Sequence, residues 1–290
     1  MSAPVALPDH AVGPPCVPGT PSAVNANATR VTAPNPSMMT GPGTNTYVVG
    51  DEDAVVVIDP GPAIAVHLDA VLAVVGSRRV TAVAVTHHHR DHAPAARSLA
   101  SAVDAPVVGH GHAQLAVDVA AVEGSELAAG SIGLVAWHTP GHASDHLCFF
   151  APSMAWLFTG DHVMQGSTVV IRPPDGDLTA YLRSITRVRD DRRVRRIAPG
   201  HGRVLDAPSS AAAEILAHRE QRGGIVLEAL RRYGPCTAAA LRVHAYADVG
   251  AERDEVATAT CWAHLLALVD DGRARSSSER FDPYAIFEAT

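Results

Sequence analysis

Six consecutive residues, His87-His88-His89-Arg90-Asp91-His92, hold four imidazoles and a carboxylate. With no cysteine nearby, this is a borderline-hard donor set, suited to zinc and open to iron or manganese. In an extended segment, residues two apart project to the same side, so His87 and His89 can share one cation. Asp91 and His92 follow on the turn into the next helix, in reach of a second. A histidine-rich surface tract would supply the same residue types without forming a site. The position of the cluster argues against that. Residues 80–85 are an apolar, β-branched run that reads as a buried strand. The cluster therefore sits where a strand gives way to a loop, a common place for catalytic groups held by a rigid scaffold.

The flanking elements follow from periodicity and turn chemistry. Strands are expected at 46–49 and 55–58, the second ending in Asp59-Pro60-Gly61. Asp59 has two readings at that strand end. It either orients a ligating histidine or caps the following turn. Residues 65–75 and 93–103 have helical spacing and good helix formers. This alternation, up to a strand at 106–108, indicates an α/β layered domain. Later strands at 134–137, 146–150 and 155–158 follow one another more closely, and a helix is expected over 178–188.

The pattern His-x-His-x-Asp-His resembles the signature of the metallo-β-lactamase superfamily. That resemblance implies an αββα sandwich, which spacing alone would not give, and three further ligands downstream. Each has a candidate in order: His142 in Thr139-Pro140-Gly141-His142, Asp161 in Thr159-Gly160-Asp161, and His201 in Pro199-Gly200-His201-Gly202. Each follows an apolar run and sits beside a glycine, which lets backbone approach closely. The implied assignment gives His87, His89 and His142 to one zinc and Asp91, His92 and His201 to another, with Asp161 bridging. Two such cations, roughly 3.5–4 Å apart, share a water and bring its pKa towards ~7. The nucleophile is then a metal-bridging hydroxide, and no serine or cysteine nucleophile is required. Asp91 both ligates and orients the hydroxide proton. His146, four residues after His142, is either a proton donor to the leaving group or a satisfied core histidine. His162, which follows the bridging aspartate where relatives often place cysteine or another residue, is a spare ligand or, as preferred, a packing or supporting residue. His88, His110, His112 and His138 are taken as bystanders.

Composition bounds the rest. The chain has 290 residues, 47% of them hydrophobic, enough for one large domain and a small one. Its net charge of −7 argues against a surface coated in nucleic acid. The four cysteines, Cys16, Cys148, Cys236 and Cys261, contain no CxxC pair, so a disulfide framework is not expected. No signal-peptide pattern or membrane-length apolar run is seen, and a cytoplasmic location is expected. The densest charge run spans Arg183, Arg187, Arg189, Arg192, Arg193, Arg195 and Arg196. It is read first as a solvated helix end offset by Asp190 and Asp191, and second as a phosphate-binding patch near the site mouth.

Residues 1–30 carry six prolines and are expected as a loosely ordered arm. The catalytic domain is placed at 31–208, and a chain cut after Pro208 is expected to fold. Residues 209–290 read as three helices, at 211–233, 237–247 and 252–271, with a short hairpin over 273–287. This is a small winged-helix-like domain. Glu252, Asp254 and Glu255 at the start of its third helix would repel phosphate, so it is expected to cover the substrate or mediate a homodimer rather than grip DNA. With Gly43-Thr44-Asn45-Thr46-Tyr47 and Thr139-Pro140-Gly141-His142-Ala143-Ser144-Asp145-His146, this order resembles the beta-lactamase-like protein 2 group. That group includes single-strand-specific endoribonucleases and thioesterases of carrier proteins. The expected activity is therefore hydrolysis of a small-molecule ester or thioester, or of a phosphodiester in single-stranded RNA. An iron-containing redox protein on the same fold is the non-hydrolytic alternative.

Overall fold

Valine-rich and alternating runs build two sheets that share one core. In the computed structural model, which describes residues 7–250 and 253–290, the first sheet is formed by seven strands. They are β2 (Ser22–Asn25), β3 (Ala28–Thr32), β4 (Asn45–Gly50), β5 (Ala54–Ile58), β6 (Arg79–Ala84), β7 (Val107–Gly109) and β8 (Val119–Ala120), side by side in chain order. The second sheet runs β1 (Ala11–Val12), β14 (Val204–Leu205), β13 (Arg196–Pro199), β12 (Trp156–Gly160), β11 (Leu147–Ala151), β10 (Ile132–His138) and β9 (Glu126–Ala129). Alternate side chains of both sheets meet between them, among them Tyr47, Val56, Ile58, Leu134, Phe149 and Phe158. On the outer face of the first sheet lie α1 (Ala65–Val75) and α2 (Ala96–Val103), packed through Val71, Val75 and Leu99. On the outer face of the second lie α3 (Leu178–Asp190) and the first half of α4 (Pro208–Tyr233). This is the αββα sandwich.

Parallel pairing places the ends of key strands together. The β5–β6 register sets Ile58 beside Ala84, so Asp59 and the loop after β6 emerge at the same end. In the second sheet β12 and β13 are parallel, with Gly160 beside Pro199, so Asp161 and His201 emerge side by side. Two contacts between the sheets join these ends. Leu147 N–H donates to Thr86 O at 2.7 Å, and Asn45 reaches Gly200 O, Pro199 O and Gly202 O at 2.8–3.0 Å.

The arm expected over 1–30 is corrected for residues 7–30. Ala11 pairs with Leu205 and Ser22 with Arg30, giving both sheets an extra edge. The buried Arg30 guanidinium donates to Pro14 O and Pro15 O at 3.0 and 2.7 Å, pinning the proline-rich turn. Residues 1–6 lie outside the described residues.

Beyond the sandwich, α4 continues into a helical module with α5 (Ala238–Ala245), α6 (Asp254–Asp270) and an antiparallel ribbon of β15 (Ala274–Ser276) and β16 (Phe287–Ala289). Val226, Leu230, Leu241, Cys261, Leu265 and Phe287 form its own core. Of the acidic residues expected to repel phosphate, Asp254 pairs with Arg242, and Glu255 with Arg172 at 3.2 Å. Glu252 lies outside the described residues. None of the helices among the described residues is long and apolar enough to cross a membrane.

Candidate metal centre

The seven residues implied as ligands converge. His87, His89 and His142 form one group of donors, and Asp91, His92, Asp161 and His201 another. His142 Nε2 lies 3.0 Å from His89 Nδ1. His201 Nε2 lies 3.2 Å from Asp91 Oδ2 and 3.3 Å from Asp161 Oδ1, while His92 Nε2 is 3.4 Å from both carboxylates. Asp161 serves both groups, because its Oδ2 is 3.7 Å from His142 Nε2.

Donor atoms around a tetrahedral cation with bonds of about 2.0–2.1 Å stand about 3.3 Å apart, so these separations suit ligands of shared ions. The buried polar atoms agree. His87 Nε2, His92 Nε2 and Asp161 Oδ1 are shielded from solvent without a hydrogen-bond partner. Leaving one such atom unpaired costs about 1–3 kcal/mol, and bound cations would satisfy all three. The residues present fit a pair of cations.

For four of the five ligand histidines, His87, His92, His142 and His201, the opposite ring nitrogen fixes the orientation. His92 Nδ1 lies 2.9 Å from Asp59 Oδ2, and His87 Nδ1 2.9 Å from Thr86 Oγ1, which donates to the same Asp59 oxygen at 2.8 Å. His142 Nδ1 donates to Val170 O at 2.8 Å, and His201 Nδ1 to Gly43 O at 3.2 Å. With each Nδ1 donating, the Nε2 lone pair is left for a cation. Asp59 thus orients His92, the first of its two readings, and it holds a left-handed φ of 50° to do so. Close approach explains one glycine here. A Cβ on Gly200 would stand 2.8 Å from both Asp161 Oδ1 and His92 Cε1.

Electrostatics divide the site. Burial, reinforced by neighbouring imidazoles, holds His87 well below the usual histidine range and lowers His89 to about 3. For His201, burial is outweighed by the carboxylates of Asp161 and Asp91, which raise it to about 9. The metal-free protein therefore carries a proton on His201 at neutral pH that a cation must displace. The metal-free state binds more protons, so falling pH favours it. Zinc affinity should drop about tenfold per pH unit for each displaced proton between pH 9 and 7. Titration against a competing chelator at several pH values checks this, and an unchanged affinity would refute it.

Other sequence readings fare differently. Of the two readings of His146, its surroundings favour the core histidine. It is fully buried, its Nδ1 is 2.9 Å from Thr139 Oγ1, and burial keeps it neutral. His162 belongs to neither donor group and is packed edge-on to Tyr181. The arginine run is largely occupied elsewhere. Arg187 pairs with Glu123 and lies 4.1 Å over Trp137, Arg189 pairs with Asp190, and Arg193 with Asp191. No member of the run lines the cavity.

That cavity, about 650 Å³, opens on His142, Asp161 and His201. Met38, Met39, Met164, Val169 and Val256 give it an apolar wall, with Arg203 and Arg253 among its polar lining. One positioning group escaped the sequence reading. Arg219 of α4 is 3% exposed, donates to Val169 O, and lies 5.6 Å over Tyr181. The next carbonyl, Val170 O, holds His142, and the Tyr181 hydroxyl donates to His162 O at 2.8 Å, beside Asp161. Its only signal in the sequence is an arginine four residues beyond Ile215 on an otherwise apolar helix face.

Comparison with known proteins agrees with this geometry. The family model described as "Metallo-beta-lactamase superfamily" matches residues 39–201. An atrochrysone carboxyl ACP thioesterase from Aspergillus chevalieri is 33% identical over 221 residues, 72% of this chain and 67% of that protein. A beta-lactamase-like protein 2 homolog from Drosophila melanogaster is 28% identical over 226 residues, 71% of this chain and 74% of that protein. The crystal structure of a metallo-beta-lactamase family protein from Thermus thermophilus superposes with a TM-score of 0.77 at 20% identity. It covers 92% of this chain and 100% of that one, a likeness of fold that extends into the C-terminal helices. Since the family match spans more than half of the sequence and contains all seven converging donors, this protein belongs to the metallo-beta-lactamase superfamily.

Proposed function

We propose that this protein is a dinuclear zinc hydrolase of a small-molecule thioester or ester. The observation that carries the reading is the cavity, whose floor is His142, Asp161 and His201 and whose wall is methionine and valine. A wall of that kind suits an acyl group, since methionine adapts to irregular apolar shapes. Single-stranded RNA is bound through aromatic platforms and a basic groove, whereas the cavity lining holds no Phe, Tyr or Trp among the described residues and only Arg203 and Arg253 as cations, and the arginine run is largely paired elsewhere. The likeness to a carrier-protein thioesterase supports the same choice.

The nitrogen and oxygen donors suit zinc, and when bound the cation pair would acidify a shared water and polarise the scissile carbonyl. The chain's own part is positioning. Asp161 presents one oxygen to each donor group and fixes their separation. Asp91 is held well below the usual carboxylate range; burial opposes this, but His92 and His201 outweigh it. It stays ionised, would ligate through Oδ2, which is 3.2 Å from His201 Nε2, and can orient the attacking water by accepting its hydrogen bond. Four donated Nδ1–H groups keep the imidazoles from turning as charge develops.

The test is one zinc-loaded sample assayed on an acyl thioester, a simple ester, a generic phosphodiester and single-stranded RNA, with metal analysis alongside. Turnover of the thioester or ester well above the phosphodiesters is expected. Preference for RNA would overturn the substrate class, and iron-loaded protein without hydrolysis would favour the redox alternative.

A further inference from the structure

A second set of metal-ligating side chains lies beside the centre and uses none of its seven ligands. His88 Nδ1 is 2.9 Å from Asp145 Oδ1. His112 stacks on His88, with ring centroids 4.0 Å apart and planes at 17°. One ligand atom from each of His88, His112 and Asp145 falls within 4.8 Å of the others. Asp175 is adjacent, with Oδ1 3.7 Å from His112 Nε2.

A simple aspartate–histidine hydrogen bond would explain part of this arrangement. It leaves the rest without a reason. Asp145 is 2% exposed, and its second oxygen, Oδ2, is buried with no hydrogen-bond partner. A buried carboxylate oxygen normally finds a donor, and its desolvation is costly when it does not. The main centre shares this one feature, a carboxylate beside imidazoles with a buried oxygen, Asp161 Oδ1, that has no hydrogen-bond partner. Two imidazoles and the Asp145 carboxylate form an N₂O set for a divalent ion, and Asp175, whose Oδ1 accepts from Ser144 Oγ and lies 3.7 Å from His112 Nε2, is near enough to add a fourth ligand.

We propose that His88, His112 and Asp145 form a third cation site, completed by Asp175 and selective for a divalent transition-metal ion of the zinc class. Chain geometry explains why the site sits here. His88 lies between the ligands His87 and His89, and Asp145 comes three residues after the ligand His142, so assembling the main centre brings both into register. His112 arrives from the turn closed by its pairing with Leu115. It is the most open of the three, with 22% of its side chain exposed, and it is the ligand that turns to meet the ion. The bound ion ties that turn to the loop carrying four of the seven catalytic-centre ligands.

The third site goes beyond the dinuclear reading and fails separately from it. Full-length, untagged protein is loaded with zinc, its metal content is measured, and crystals are examined for anomalous scattering at the zinc edge. Three equivalents are expected, with the third peak between His88, His112 and Asp145. His112→Ala should hold two equivalents and lose only that peak. Asp175→Asn, a near-isosteric change at a partly exposed position, should weaken zinc at the third site at least tenfold and covers the case in which His112→Ala does not fold. Wild type saturating at two, a third peak elsewhere, or His112→Ala keeping all three would each overturn the third site and leave the dinuclear centre standing. A vacant main centre with the third peak present would instead overturn the dinuclear reading.

Discussion

Asp161→Asn should reduce turnover by at least about a hundredfold and lower the cation content below that of the wild type. Altering even the groups that orient a ligand typically costs 10–100-fold in metal affinity or activity, and this change acts on the bridge itself. Asp161 places Oδ1 3.3 Å from His201 Nε2 and Oδ2 3.7 Å from His142 Nε2. Asparagine keeps the volume and one acceptor oxygen, so it can serve one donor group but turns an NH₂ towards the other. It also removes the charge that, with Asp91, offsets the burial of His201. The isosteric side chain fits between Gly200 and His92, so circular dichroism should match the wild type while metal analysis does not. Full activity and full metal content would refute the bridging role.

Removing the C-terminal module after Pro208 should abolish folding of the remainder, contrary to the expectation raised by the change in sequence character at that point. Ala211, Ala212 and Ile215 are completely buried in the same core as Leu157, Tyr181 and Ile185 of the sandwich. Truncating one buried isoleucine to alanine costs about 2–5 kcal/mol, a large fraction of the 5–15 kcal/mol that holds a typical domain together. The cut removes this side chain, its neighbours and the Arg219 brace at once. A chain ending after Gly224 keeps the first half of α4 and should retain the fold and its cations. It loses Arg253 and Val256 from the cavity lining, so substrate binding should weaken with metal content unchanged. Thermal denaturation and metal analysis of the two truncations separate these outcomes. A cooperative transition at the wild-type temperature for residues 1–208 would refute the claim.

The chemistry was legible because it is written in residue types that have few structural reasons to cluster. Four histidines and an aspartate after a valine-rich strand announced the centre, and glycine-flanked His142, Asp161 and His201 completed it through a family resemblance. The main strands and helices were legible for the same reason, since each has enough residues to show a period. β1, β8 and β14 have two residues each and no periodicity to read; pairing with distant partners creates them. Residues 7–30 looked like a loose arm because proline count says nothing about a buried arginine that binds the turn they form. The groups that aim the imidazoles were mostly invisible, because the carbonyls of Gly43 and Val170 carry no side-chain signature. His146 shows the converse limit: its spacing from His142 suggested a donor, and only burial tells a donor from a core residue.

Val169 and Val170 offer adjacent carbonyls to two different masters, a guanidinium of the long helix and an imidazole of the centre. Linkage runs both ways through such a pair. If docking of the helix sharpens the grip on an ion, then the ion fastens the helix with equal free energy. A chelator would act on this molecule as a loosening agent for a segment that never touches metal, and occupancy would be felt as stiffness in a helix far along the chain from the histidine cluster.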